Sequence, residues 1–170
     1  MTIADIIDEM RHACLFLWQR TGQRILVYGH SAGGHLAGAL VATDWHALYP
    51  KMPQDFVPAA YAVSGIFDLT PLLEVASAKD LISDPAEVPK VSPIFWPAPA
   101  GRTFDAVVGG IESSEFLRQS RIIVDAWKKG GADTRYGEIA GANHFDVLDP
   151  LTDPNSAMVG RLVELAKKIQ

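Results

Sequence analysis

Five residues, Gly29-His30-Ser31-Ala32-Gly33, constrain the fold of this chain more than any other segment. Before them runs Ile25-Leu26-Val27-Tyr28, strand formers without alternation, which suits a strand buried on both faces of a parallel sheet. After them the sequence is rich in Ala, Gly and Leu to about Thr43 and reads as a helix. A strand must therefore pass into a helix through a very short turn. Ser31, at the apex, has to take a strained backbone. Side chains at Gly29 and Gly33 are expected to collide where strand and helix approach. Such a turn projects the Ser31 hydroxyl at the carboxyl edge of the sheet. The alternative is an ordinary turn in which Ser31 caps the helix.

The alternation continues along the chain. Residues 2–19 place Ile3, Ile6, Ile7, Met10, Cys14, Leu17 and Trp18 on one stripe of an amphipathic helix, with Thr2 and Asp5 as its start signal and Gly22 as its stop. Cys14 on that stripe reads as packing, since nothing nearby would activate its thiol. Strands are predicted from Ala59 to Ser64, Phe104 to Val108 and Thr134 to Ile139. Phe116, Ser120, Ile123, Val124 and Trp127 share one face of a helix ending at Gly130-Gly131. A last helix is predicted from Asp153-Pro154, with Met158, Val159, Leu162, Val163, Ala166 and Ile169 on one side. The proline-rich stretch from Asp80 to Gly101 is too apolar at Ile94, Phe95 and Trp96 for a solvated tether, and reads as an ordered connection or part of a lid. The predicted class is α/β, a mainly parallel sheet with flanking helices, in a single domain over residues 1–170.

Composition removes several partners. A net charge of -5 without a Lys/Arg run argues against nucleic acid. No stretch approaches the ~20 apolar residues of a membrane span, and MTIADIIDEM has acids where a signal peptide has positive charge. The single cysteine forbids an internal disulfide. A cytoplasmic location is the expectation.

Gly29-His30-Ser31-Ala32-Gly33 matches G-x-S-x-G, the nucleophile elbow of α/β-hydrolases. The Ala32 backbone N–H would then be one oxyanion donor, aided by the positive end of the following helix. A serine nucleophile needs a base, which in that fold follows the last strand. His144, in Asn143-His144-Phe145, lies there. His12 and His35 sit within helices, His30 in the elbow, and His46 too early in the chain; the alternative for His144 is a surface histidine. The acid should follow the preceding strand. Glu112, after Gly109-Gly110-Ile111, occupies that loop, and otherwise it is a helix-start acid favoured by the helix dipole. Asp105 is at the wrong end of its strand, Asp68 follows an earlier strand, and Asp146 is expected to face solvent or its own backbone.

Gly29 to Ala37, Ser64-Gly65-Ile66-Phe67-Asp68-Leu69, Gly109 to Ser113 with Glu115-Phe116 and Arg118-Gln119-Ser120, and Asn143-His144-Phe145 occur in that order. Together they resemble the kynurenine formamidase (arylformamidase) group of α/β-hydrolases over nearly the whole chain. The resemblance implies a triad of Ser31, Glu112 and His144. It also implies hydrolysis of the formamide of N-formylkynurenine, in tryptophan degradation, without metal or cofactor. Phe67, Phe95, Trp96 and Phe145 are candidates to line an aromatic-accepting pocket, core or lid packing being the alternative for each.

The group carries an H-G-G oxyanion motif upstream of the elbow, and this sequence begins at the helix before the elbow strand. The expectation is a partial α/β-hydrolase fold, from the elbow strand onward and truncated at the N-terminus. Ile25–Tyr28 would then form an apolar sheet edge, prone to pairing, with a homodimer as one way of supporting it. Three behaviours follow: a formamidase acting on a small-molecule formamide, a carboxylesterase acting on small acyl esters, or a catalytically silent partial fold serving as a binding or assembly module.

Overall fold

The strand-forming segments pair in parallel in the order in which they occur. In the computed structural model, which describes residues 1–76, 81–82 and 84–169, β1 (Leu26–His30), β2 (Ala59–Val63), β3 (Thr103–Gly109) and β4 (Asp133–Ile139) form one four-stranded sheet. Around it lie α1 (Ile3–Thr21), α2 (Ala32–Ala42), α3 (Trp45–Leu48), α4 (Val88–Val91), α5 (Ser114–Lys129) and α6 (Ala157–Lys168). Residues 77–80, including the Asp80 that begins the proline-rich stretch, lie outside the described residues, as do 83 and 170.

Burial follows strand position. The two central strands are buried along their whole length, β2 as a continuous small or apolar run and β3 with Asp105 as its one charged residue. The expectation that the elbow strand is buried on both faces is corrected. Among the described residues nothing pairs with its outer side, so β1 is an edge and Tyr28 is 63% exposed. That agrees with the expected apolar edge.

One face of the sheet packs against α1, α2 and α5 through Cys14, Leu40, Phe67, Phe104, Ile123 and Trp127. The other packs against α6 through Tyr61, Val63, Val107, Val147, Met158 and Leu165. α1 opens with a reciprocal capping box between Thr2 and Asp5 and stops at Gly22, whose φ of 63° suits glycine. Its stripe is less complete than predicted, since Leu17 stays exposed beside the unpaired β1 edge. The last helix starts later than predicted. Asp153 and Asn155 form a local turn, the Asn155 N–H donating to Asp153 Oδ1 at 2.9 Å, and Ser156 is the cap. On α6 Val163 faces outward and Leu165 faces the core.

Asp105, in the middle of β3, is held by Arg161 of α6, whose Nε donates to Oδ2 at 2.7 Å and Nη2 to Oδ1 at 3.0 Å. This two-pronged pair pins α6 to the sheet, and it raises the Arg161 pKa chiefly through the Asp105 hydrogen bond. Cys14 sits 3% exposed in the core, and burial pushes its thiol up to about 11. In the folded chain it is expected to resist a disulfide reagent at about pH 8, and to react fully after denaturation. Thiol titration checks this, and rapid reaction in the native chain would contradict the packing assignment. No helix among the described residues is long and apolar enough to cross a membrane.

Candidate active site

Because all four strands run parallel, their carboxyl ends share one edge of the sheet, and the loops that follow them meet there. Ser31 follows β1, Ser64 follows β2, Glu112 follows β3 and His144 follows β4. The chain is thereby brought together at one point from positions more than a hundred residues apart.

Ser31 has φ 56° and ψ -117°. Its backbone N–H donates to Val63 O at 2.8 Å, which ties the turn to β2. Its side chain makes no helix-capping bond, unlike the capping serine considered as the alternative. The Oγ lies instead 3.0 Å from His144 Nε2. Close approach is required at Gly29, where an added Cβ would stand 2.3 Å from Gly33 O. Gly33 itself faces open space, which corrects that half of the expectation. The second tight position is Gly34, whose Cβ would fall 2.9 Å from both Gly65 Cα and Val63 O. Ala32 heads α2, so its N–H is among the first-turn donors without an intrahelical partner.

His144 Nδ1 lies 2.7 Å from Glu112 Oε2, and the Glu112 side chain is 1% exposed. One tautomer satisfies both contacts: Nδ1–H donates to the carboxylate, and Nε2 accepts from Ser31 Oγ–H. Glu112 Oε1 accepts two further bonds, from the Gly109 N–H at 2.7 Å and from the Ser64 hydroxyl. The loops after β3 and β4 are laced by Gly110 N–H to Ile139 O and Ile111 N–H to Ala142 O. Gly109 makes that approach feasible, because a Cβ there would meet Ala142 O at 2.4 Å.

The histidine loop is held from inside and outside. Asp146 accepts from the Asn143 backbone N–H and, at 2.8 Å, from its side-chain amide, while Asn143 Oδ1 accepts from Phe145 N–H. Asp146 thus serves its own loop. His30 Nε2–H donates to His144 O at 2.8 Å, and the two rings lie 4.6 Å apart. His35 is buried against Val91 O, and burial lowers its pKa.

The aromatic candidates scatter. Phe67 belongs to the core, edge-on to Phe104 at 5.6 Å. Trp96 donates to Pro89 O and lies under Arg11 of α1. Phe95 is exposed on the neighbouring turn. Only Phe145, 82% exposed, borders the histidine ring, at 5.6 Å. The described part of the proline-rich stretch seals the core beside α2, with Ile94 N–H on Phe67 O and Ser92 Oγ accepting from Leu69 N–H. It is an ordered connection there, as expected. Phe116, 4.5 Å from the His144 ring, was missed as a site residue. Its place in the first turn of α5, just after Glu112, was the available signal. Ser64 was missed as well. Among the described residues no group of three or more His, Cys, Asp or Glu is placed to hold a metal ion.

The chain matches no protein-family model. It is 28% identical to kynurenine formamidase of Danio rerio over 170 residues, covering 96% of this chain and 57% of that protein. With kynurenine formamidase of Drosophila melanogaster the identity is 26%, covering 88% of this chain and 53% of the relative. The chain therefore spans a little over half the length of these curated relatives. Among solved structures, a candidate thioesterase of Silicibacter sp. tm1040 superposes with a TM-score of 0.73 at 26% identity, over 94% of this chain and 58% of that one. Esterase 2 of Thermogutta terrifontis does so with a TM-score of 0.71 at 22% identity, over 99% and 65%. The fold is that of α/β-hydrolases, and the sequence is similar to kynurenine formamidases, as its motifs imply.

Proposed function

We propose that this chain carries the reacting groups of a serine hydrolase that cleaves a formamide or small acyl ester, in the manner of a kynurenine formamidase. The observation that supports this most is the unbroken line from Ser31 Oγ through His144 to Glu112, with contacts of 3.0 and 2.7 Å. In the proposed reaction His144 Nε2 takes the Ser31 proton as Oγ attacks the carbonyl carbon. The carbonyl oxygen gains charge beside the Ala32 N–H. Glu112 holds the imidazolium that has formed. His144 then returns the proton to the departing amine or alcohol, leaving an acyl-Ser31 ester. Water, deprotonated by His144, attacks that ester, and the acid leaves as Ser31 regains its proton.

The exposed Phe145 and the neighbouring Phe116 give an aromatic leaving group two rings to pack against, which favours an aryl formamide. A small-ester carboxylesterase is the second reading, supported by the esterase among the structural neighbours. Parallel turnover of N-formylkynurenine and p-nitrophenyl acetate separates them. The proposal expects kcat/KM to favour the formamide; clear preference for the ester would overturn the formamidase assignment and leave the hydrolase one.

A further inference from the structure

Only two non-glycine residues among the described ones have positive φ, and both stand at this site: Ser31 and Ser64, the latter at φ 49°. The strained backbone of Ser31 is what aims a nucleophile. Ser64 has no such task in the proposed reaction, because it is 0% exposed and its hydroxyl faces the carboxylate. We infer that Ser64 is a positioning residue for Glu112, its hydroxyl holding the carboxylate in the one orientation that serves His144; this rests on the reading of Ser31, His144 and Glu112 as the reacting groups.

The placement follows from the sheet. β2 lies between the strand that carries Ser31 and the strand that leads to Glu112, so the residue ending β2 stands between them. The Ser64 N–H donates to Val107 O at 2.7 Å on one side, and on the other Val63 O accepts from the Ser31 N–H. The left-handed turn at Ser64 departs from the strand path there, where its side chain reaches the carboxylate. Were the turn alone needed, glycine would supply it with less strain. The hydroxyl is what a glycine would lack.

Glu112 Oε1 has two donors, the Gly109 N–H and the Ser64 Oγ–H, both in the interior. With that oxygen occupied, Oε2 alone faces Nδ1–H of His144. Removing the hydroxyl leaves Oε1 with one donor and lets the carboxylate turn about its terminal bond, so the histidine loses its fixed partner.

Ser64→Gly and Ser64→Ala test this in the full chain. Glycine relieves the backbone while deleting the hydroxyl, so it folds even if alanine, still strained, does not. The readouts are kcat and KM on p-nitrophenyl acetate, the rate of Ser31 labelling by a fluorophosphonate, the thermal midpoint, and the downfield proton resonance of His144 Nδ1–H. Expected are falls in kcat and labelling rate on the order of 10- to 100-fold, the worth of one hydrogen bond to a charged group, with KM changed by less than about twofold. The Nδ1–H resonance is expected to move upfield or vanish by exchange, and the glycine variant to melt no lower than the alanine one. Wild-type labelling rate, kcat and resonance in folded Ser64→Gly would overturn the inference while leaving Ser31 in its role. Failure of the unsubstituted chain to label would overturn the Ser31 reading, and this inference with it.

Discussion

Replacing Ser31 with alanine is expected to lower kcat/KM on small esters and formamides by roughly 10⁴- to 10⁶-fold, the scale on which a lost nucleophile acts in a serine hydrolase. The substitution removes one oxygen and leaves the Cβ, so the tight contacts at Gly29 and Gly34 do not change. The Ser31 N–H bond to Val63 O is backbone and survives. No capping bond is lost, because the Ser31 side chain makes none. The thermal midpoint should therefore stay close to that of the unsubstituted chain. Rate and midpoint together check the result: a variant that melts normally and is nearly inactive fits, whereas one that melts normally and keeps its rate places the chemistry elsewhere.

Glu112→Gln should cost on the order of 10⁴-fold in kcat, although it preserves volume and neutralises one charge only. The reason lies in what surrounds the group. The Gly109 N–H is a fixed donor aimed at Oε1, so in the variant the amide oxygen must sit there. The amide NH2 is then turned toward His144 Nδ1, which can meet it only as an acceptor. The imidazole proton moves to Nε2 and points at Ser31 Oγ, and the base can no longer accept. A ping-pong assay with a burst of released p-nitrophenol would show the acylation step as the one slowed. Loss of activity accompanied by unfolding would instead make Glu112 a structural residue; alanine, which strips a partner from the buried Gly109 N–H, is the variant expected to destabilise, by about 1–3 kcal/mol.

The features legible in the sequence are those that local pattern controls. β2 and β3 are mostly small or apolar runs bounded by turn residues, β3 broken only by Asp105, and their limits came within a residue or two of the observed ones. The elbow announced itself because glycine, serine and small residues are what the close approach of strand and helix demands. Chain order then pointed to the loops after β3 and β4, and the structure brings Glu112 and His144 to Ser31 from those loops.

What stayed hidden depends on neighbours distant in the chain or on backbone angles. Ser64 read as the last residue of a strand, and nothing in Val63-Ser64-Gly65 announces a positive φ. Gly33 and Gly34 look alike in sequence, yet only the second touches the β2 end, because that contact depends on how α2 lies on the sheet. Phe67 and Trp96 were plausible pocket rings by residue type, and the core claimed one while α1 and Pro89 took the other. On α6 the predicted stripe holds at Met158, Leu162 and Ile169, whereas Leu165 joins it and Val163 faces outward, because the side of the helix that meets the sheet is set by how α6 docks and not by residue type.

Mass spectrometry of the full chain after exposure to a fluorophosphonate, with peptide mapping, asks most directly whether His144 activates Ser31. The expected result is a single adduct per chain, carried by the peptide that follows Arg24 and located on Ser31, and lost in His144→Ala. An unmodified chain, or an adduct on another residue with Ser31 untouched, would contradict it.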